Sequence, residues 1–352
     1  MNKLLTYIQH VLKHILIWTL AFALYNFFRE YGQEIKRPDE YPEMEFFNRV
    51  IFQIIVGIIS GIVFGTYQYF FNKVLANRFS FGITVAIGSM GYAVVILIFI
   101  LMAFRAYGLI FQVDIGKANV EQFFATGNAT VLIFYCFLVG FFIDFIQQID
   151  KKFGPGNLGK MLSGKFYSPK EEERIFMFLD MKSSTSIAEK LGHIEYSKLI
   201  QDCFQDIRAV IPFQAEIYQY VGDEVVLTWQ KDNGLSEANC INAFFAFEDQ
   251  LKKRENHYLD KYGLLPEFKA GIHGGMVIVA EVGEIKREIA YHGDTINTAA
   301  RIQSMCNTYK AKLLASKQLL NSLQSSDFSF KSVGEVMLRG KEKSTLIYTV
   351  EV

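Results

Sequence analysis

The chain has 352 residues, 51% of them hydrophobic and 33 of them Phe, with 36 basic and 36 acidic residues that cancel to a formal net charge of zero. That balance speaks against an electrostatic nucleic-acid binder. Cys136, Cys203, Cys240 and Cys306 are far apart and form no CxxC pair, which argues against a disulfide framework or a zinc site and leaves reduced thiols.

The apolar excess lies before residue 150. Val11 to Phe28, Val50 to Phe71, Phe81 to Phe104 and Ala129 to Phe145 are long enough, at about 1.5 Å per residue, to cross a hydrocarbon core of about 30 Å. Arg29 and Glu30 follow the first stretch without a small-residue cleavage site, so it reads as a span rather than a signal peptide. Lys3, Lys13, Lys73, Arg78, Lys151 and Lys152 fall on one side of a four-span arrangement, and Asp39, Glu40, Glu43 and Glu45 on the other. By the bias of basic residues, both termini are cytoplasmic, although Arg49 and Arg105 run against the rule. His10 and His14 share a helix face at i, i+4, as haem or metal ligands sometimes do, but interfacial histidines are the default. Asp144 and Asp150 are placed at or beyond the cytoplasmic end of the fourth span, where a carboxylate costs little, and receive no role. The half reads as an anchor and dimerisation module, or as a receptor whose ligand no residue identifies. With no obvious buried ionisable pathway, it does not read as a transporter.

Residues 153–170, FGPGNLGKMLSGKFYSPK, hold four glycines and two prolines and cannot sustain one straight helix. The expected division is therefore 1–150 membrane domain, 151–170 linker and 171–352 globular domain, long enough to bury its own core.

From Arg174 the sequence RIFMFLDMKSST reads as a buried strand ending at Asp180, then a turn and a helix. The amides of Lys182 to Thr185 would open that helix, a natural phosphate site. AEIYQYVGDEVVLTWQ reads as two strands joined at Gly222 and Asp223. Bringing Asp180 and Asp223 together calls for cations between them, and two Mg²⁺ ions are the usual answer where a phosphoryl group is attacked. Glu224 is expected on the opposite strand face from Asp223 and is left as structural. EIAYHGDTINTAARIQSM repeats the strand, turn and helix pattern, with Asn297 and Arg301 on one helix face, suited to orienting a ribose and stabilising a phosphorane. His273 and His292 are expected in the core or in turns.

In this order and at these intervals, FLDMKSST, YVGDEVV and GDTINTAAR resemble the class III adenylyl and guanylyl cyclase domain over roughly residues 171–352. The resemblance implies an α+β, ferredoxin-like βαββαβ core with added strands, active as a head-to-tail homodimer that forms a cyclic nucleotide and pyrophosphate from a nucleoside triphosphate. By residue it implies Asp180, Asp223 and the Met181 carbonyl as ligands of two Mg²⁺ (or Mn²⁺). Ser183, Ser184 and Thr185 would cradle the β and γ phosphates, Asn297 would position the ribose and Arg301 would meet the α-phosphoryl group. The segment MLRGKEK resembles the family's late basic loop, so Arg339 or Lys341 is a candidate polyphosphate contact.

Two positions depart from the family pattern. Adenylyl cyclases have Lys and Asp, and guanylyl cyclases Glu and Cys, where this chain has Gln219 and Ala290. Gln219 serves either purine by amide rotation and Ala290 offers no side-chain hydrogen bond, so Tyr218 or Glu288 is the alternative reader. ATP is the favoured substrate on the family's habit, with a guanylyl or relaxed-specificity cyclase as the alternative. A diguanylate cyclase fits less well, because Val221 and Val225 replace the Gly and Phe of a GGDEF turn. A silent, membrane-tethered nucleotide sensor is the reading from another class, although Asp180, Asp223, Asn297 and Arg301 are all present. The expected setting is a multi-pass protein in the lipid bilayer with the catalytic domain in the cytoplasm.

Overall fold

The computed structural model describes residues 3–31, 46–74, 79–111, 128–154, 156–323, 328–337 and 344–352. Asp39, Glu40, Glu43, Glu45 and Arg78, and the candidate site residues Arg339 and Lys341, lie outside the described residues. The chain divides into two compact units, Met1–Lys152 and Phe153–Val352.

The first unit contains α1 (Lys3–Tyr31), α2 (Phe46–Val74), α3 (Phe81–Phe111) and α4 (Asn128–Phe153). Four segments, Leu4–Phe28, Ile54–Val74, Phe81–Met102 and Thr130–Lys152, are long and apolar enough to cross a membrane. Leu16 is 73% exposed and Phe28 69%, an outward apolar surface of the kind that a hydrocarbon phase accepts. Inside, Trp18 stacks on Phe64 with ring centroids 4.1 Å apart, and Tyr92 packs beside both.

The fit of α1 against α2 comes from Gly57, Gly61 and Gly65, spaced every fourth residue. A methyl group at Gly57 would lie 2.5 Å from Thr19 Oγ1, and one at Gly65 would lie 2.9 Å from His14 Cβ. At Gly61 it would strike the Ile15 backbone, so the two main chains approach as small residues permit in membrane helix pairs. His10 and His14 have ring centroids 4.6 Å apart, with His14 buried.

Asp144 corrects the expectation drawn from sequence. Because α4 continues to Phe153, Asp144 lies more than two turns inside the helix and is only 2% exposed.

In the second unit, left-handed φ values at Gly154 (88°) and Gly156 (79°) separate α4 from the short helix α5 (Asn157–Leu162). The sheet comprises β1 (Lys170–Met181), β2 (Glu216–Val221), β3 (Glu224–Gln230), β4 (Phe268–Val282), β5 (Glu288–His292), β6 (Leu313–Ser316), β7 (Ser329–Val336) and β8 (Thr345–Glu351). The helices that matter for the site are α6 (Ser184–Leu191), α7 (His193–Asp206), α8 (Asn239–Lys253), α9 (Glu255–Tyr262) and α10 (Asp294–Ser304).

Strand order is β2-β3-β1-β4-β6-β8-β7, with β5 on β4. The first four strands, antiparallel to their neighbours in the order 4-1-3-2, form the ferredoxin-like βαββαβ core, with helices between β1 and β2 and between β3 and β4 and a tight turn between β2 and β3. β4 pairs with parallel β6 near its start and with antiparallel β5 near its end. Trp229, Phe244, Phe247, Tyr258 and Phe268 fill the main core between sheet and helices.

Arg174 on β1 is 1% exposed and donates to Thr228 and to Glu172, at 3.1 and 3.0 Å. It also pairs with Glu216 at 2.9 Å and faces the Tyr291 ring at 4.9 Å. Lys160 of α5 pairs with that same Glu216, and Lys165 with Glu172, each at 3.2 Å. Phe166 is buried among Phe176, Val226 and Val277, so it and the ion pairs of Lys160 and Lys165 tie this segment to the second unit.

Candidate active site

The site is built on one row across three strands. The apolar run Ile175–Leu179 buries β1 and delivers Asp180 to its end. Register sets Glu224 of β3 and Lys269 of β4 directly opposite Asp180, one on each side. Directly opposed residues share a sheet face, so all three side chains belong to one surface. Lys269 Nζ lies 3.2 Å from Asp180 Oδ2, and Gln303 Nε2 of α10 donates to the same oxygen at 2.9 Å. Asp223 occupies the two-residue turn between β2 and β3, where Gly222 takes the positive φ of 63° that the turn needs.

Burial pushes the Asp180 carboxyl above its ordinary range; Lys269 and Gln303 oppose that push, and the like charge of Asp223 adds to it. Burial, followed by the charges of Asp180 and Asp223, raises the Glu224 carboxyl to about 7. Strand alternation separates Glu224 from Asp223, and register makes Asp180 its cross-strand partner, a neighbour missed from sequence. Lys269 and Gln303 were also missed. Nothing local marks Gln303, which lies two residues beyond Arg301, and the role of Lys269 emerges only with the β1 and β4 register.

After Met181, the Lys182 N–H is already donated to Glu267 O at 2.9 Å, which removes it from the expected run of free amides. Ser183 adopts φ 59° and ψ 29°, and α6 starts at Ser184 with no side-chain cap. Its first-turn amides therefore lack the usual acceptor, as at an anion-binding helix start. Holding a non-glycine residue left-handed stores strain of the order of 1 kcal/mol, which is the kind of local cost found at binding sites.

Gln219 is half-buried on β2 beside a bulge between Ile217 and Gln219 that leaves Tyr218 as the extra residue. Tyr218 meets Tyr291 edge-on, with ring centroids 4.8 Å apart. Ala290 is half-buried on β5, one residue before Tyr291, while Glu288 is exposed. His273 is a core residue within hydrogen-bonding distance of Ser316 Oγ at 2.6 Å, whereas His292 is exposed.

Asn297 and Arg301 are on a different side of α10 from Gln303. At 3.6 residues per turn, Gln303 lies about 200° round from Arg301. Asn297 is exposed and Arg301 half-exposed, whereas Thr298, Ala299 and Ile302 are buried. Among the described residues, no hydrogen bond or ion pair joins Asn297 or Arg301 to Asp180 or Asp223. One chain thus brings the aspartates together and leaves the Asn297 and Arg301 face turned elsewhere.

The donor set fits divalent cations of the Mg²⁺ type. Hard carboxylate oxygens are crowded enough to perturb one another, and Lys269 provides the counter-charge. Among the described residues, no three His, Cys, Asp or Glu side chains converge as a closed metal cage.

Adenylate cyclase 2 of Rhizobium meliloti is 29% identical over 255 residues, covering 72% of this chain and 70% of that protein, so the match runs past the catalytic unit into the membrane unit. The adenylate cyclase of Anabaena cylindrica is 25% identical over 183 residues, covering 50% of this chain and 36% of that one. The structure of a bacterial light-regulated adenylyl cyclase superposes with a TM-score of 0.54 at 21% identity, covering 61% of this chain and 64% of that chain, and shares the fold. Residues 166–351 match the model of the adenylate and guanylate cyclase catalytic domain, and with more than half of its length so matched, the chain belongs to that family.

Proposed function

We propose that this chain is a membrane-bound cyclase that converts ATP to 3′,5′-cyclic AMP and pyrophosphate, using two Mg²⁺ or Mn²⁺ ions at sites shared between two copies. The observation that carries this reading is the division of labour across α10. Asp180 is held from one side of the helix by Gln303, while Asn297 and Arg301 project from another side. A second copy, placed head to tail, would supply the missing face to each site.

Asp180, Asp223 and the Met181 carbonyl would hold the cations, with Glu224 tuning the local charge. When bound, the cations neutralise the triphosphate and favour in-line attack of the ribose 3′-oxygen on the α-phosphorus. The Ser183 to Thr185 amides receive the outer phosphates, and Lys269 balances charge when Asp180 exchanges partners. From the other copy, Asn297 holds the ribose and Arg301 meets the charge that develops on the α-phosphoryl group. The names of the relatives support ATP, and Gln219, with Tyr218 and Tyr291 nearby, would read the base loosely. The four apolar helices support insertion in a bilayer, with the catalytic unit in the cytoplasm on the basic-residue bias.

The test is to incubate purified protein with Mg²⁺ or Mn²⁺ and each of ATP, GTP, CTP and UTP, then identify products by mass spectrometry. Cyclic AMP as the main product supports the reading. A different cyclic product would move the substrate, and no cyclic product from any of the four would favour the silent sensor. Cysteine labelling that found position 152 exposed to the outside would reverse the topology.

A further inference from the structure

The membrane unit contains a row of side chains that the cyclase chemistry does not use. Lys151 Nζ donates to Asn72 Oδ1 at 3.4 Å, and Asn72 Nδ2 donates to Gln147 Oε1 at 3.1 Å. Gln147 Nε2 donates to Gln68 Oε1 at 3.1 Å, and Gln68 Nε2 donates to Asp144 Oδ1. All four bonds point the same way. Three amides, two from α2 and one from α4, thus form a directed chain from an exposed ammonium at the end of α4 to a carboxyl in the bundle interior.

Two features leave that carboxyl poised between charged and neutral forms. The aligned amides and Lys151 favour a negative charge on Oδ1. Oδ2, by contrast, has no hydrogen-bond partner in a residue that is 2% exposed, and it lies against Gly88 of α3. A buried carboxylate with one bare oxygen is costly in a dry bundle, and an ionisable residue in such a place is a candidate functional site.

Among the described residues, Tyr67 and Tyr92 are the phenols that feel the Asp144 charge. Tyr67 of α2 donates to Gly88 O at 3.0 Å, Tyr92 of α3 is fully buried with an unpartnered hydroxyl, and α1 contributes His14, packed on Gly65. On its own helix, the cation linked to Asp144 is Lys151, two turns on.

The polarity of the chain makes its two end states mutually exclusive. A proton on Oδ2 would leave Gln68 donating to Oδ1 and the chain unchanged. With its proton on Oδ1, Asp144 donates where the carboxylate accepted, so Gln68, Gln147 and Asn72 each turn over. Asn72 then presents its amide nitrogen, rather than its oxygen, to Lys151. An ammonium cannot accept, so Lys151 is released. The only covalent change is one O–H bond on the carboxyl, with its proton drawn from solvent. The released residue immediately precedes the glycine-jointed connector into the catalytic unit.

We propose that Asp144 is a proton-binding site and that the Gln68, Gln147 and Asn72 amides relay its occupancy to Lys151, so that the membrane unit sets cyclase output according to proton binding.

The test uses the full chain in lipid vesicles. The ratio of wild-type to Asp144→Asn activity is followed from mildly acid to mildly alkaline pH, so that the catalytic unit's own titration cancels. The expected change in that ratio is at least about fivefold, following a single-proton curve. Gln147→Leu should abolish this dependence while leaving the proton site in place. The site is read separately from infrared spectra, as a pH-dependent carboxylic acid carbonyl band present in wild type and Gln147→Leu and missing from Asp144→Asn. Because the infrared measurement needs no cyclase activity, its outcome stands apart from that of the proposed reaction. A constant activity ratio overturns the relay. A band unaffected by Asp144→Asn overturns the site, as does a pH dependence lost in His14→Gln and kept in Asp144→Asn. Should Asp144→Asn fail to fold, the absence of any titrating carboxylic acid band in wild-type protein is equally decisive against the proposal.

Discussion

Replacing Gly271 by alanine adds one methyl group where β4 passes beneath α10. Its nearest neighbours would be the Gln303 backbone nitrogen, Gln303 Cα at 2.5 Å and the Ala299 carbonyl oxygen at 2.8 Å. All are main-chain atoms, so no rotamer change relieves the overlap. Carbon atoms rest at about 3.5–4.0 Å, so α10 must withdraw by about 1 Å or the strand must bend. Overpacking of this kind costs about 1–3 kcal/mol, and the rigid neighbours place Gly271→Ala at the upper end.

The same displacement moves Gln303 away from Asp180 and shifts Asn297 and Arg301, which ride on the helix. A misplacement of about 1 Å can lower turnover about a hundredfold. Thermal unfolding of the full chain and cyclic nucleotide formation would be measured together, with Gly159→Ala as the control. Gly159 lies on α5 with nothing near its missing methyl, so alanine there should be neutral or slightly stabilising. A Gly271→Ala protein with wild-type melting and turnover would refute the claim that this close approach fixes α10.

Asp180→Ala and Arg301→Ala should each lower activity on the order of a hundredfold or more, yet their co-expression should restore up to about a quarter of wild-type activity if pairing is random. No rescue despite demonstrated pairing would mean that each site is built within one chain. Gly61→Leu should force α1 and α2 apart and lower stability in detergent by about 1–3 kcal/mol, whereas Gly82→Leu, with open space around it, should not; equal melting of the two refutes the close-packing argument. Partial burial pushes the Asp202 carboxyl up, but hydrogen bonds from His257, Lys261 and Tyr262 outweigh that push and hold it at about 2, below the ordinary 3.8. The sign for a depressed acid is that its stabilisation is present above pH 3.8 and is lost as pH falls towards 2. Asp202→Asn should therefore destabilise α7 against α9 at neutral pH by no more than about 1 kcal/mol, because solvent screens the exposed His257 and Lys261, with the difference gone in strong acid. Melting curves that stay apart at low pH would contradict this.

The legible parts of the sequence were those carried by local pattern. The buried run into Asp180, the Gly222 turn and the i, i+4 pair Asn297 and Arg301 each declare themselves within a few residues. Lys269 and Glu224 join the site through strand register, and Gln303 through the seating of α10 on β4, none of which local spacing encodes. Asp144 was misplaced for a related reason. The apolar stretch ends at Phe145, but the helix continues because Gln147 and Lys151 find polar partners on α2. The Gly57, Gly61 and Gly65 series passed unremarked in the sequence, because nothing local names the helix that it packs against.

The Arg174 cluster bears on how such proteins can be recombined. Lys160, Lys165 and Phe166 precede the catalytic strands yet clasp Glu216, Glu172 and the core behind Tyr291. A chimera that grafts another input module at residue 171 would strip two cations from the carboxylates around Arg174 and uncover a hydrophobic pocket. The natural splice point is the glycine joint at Gly154 and Gly156, where a foreign helix can enter at a new angle and leave the clasp closed.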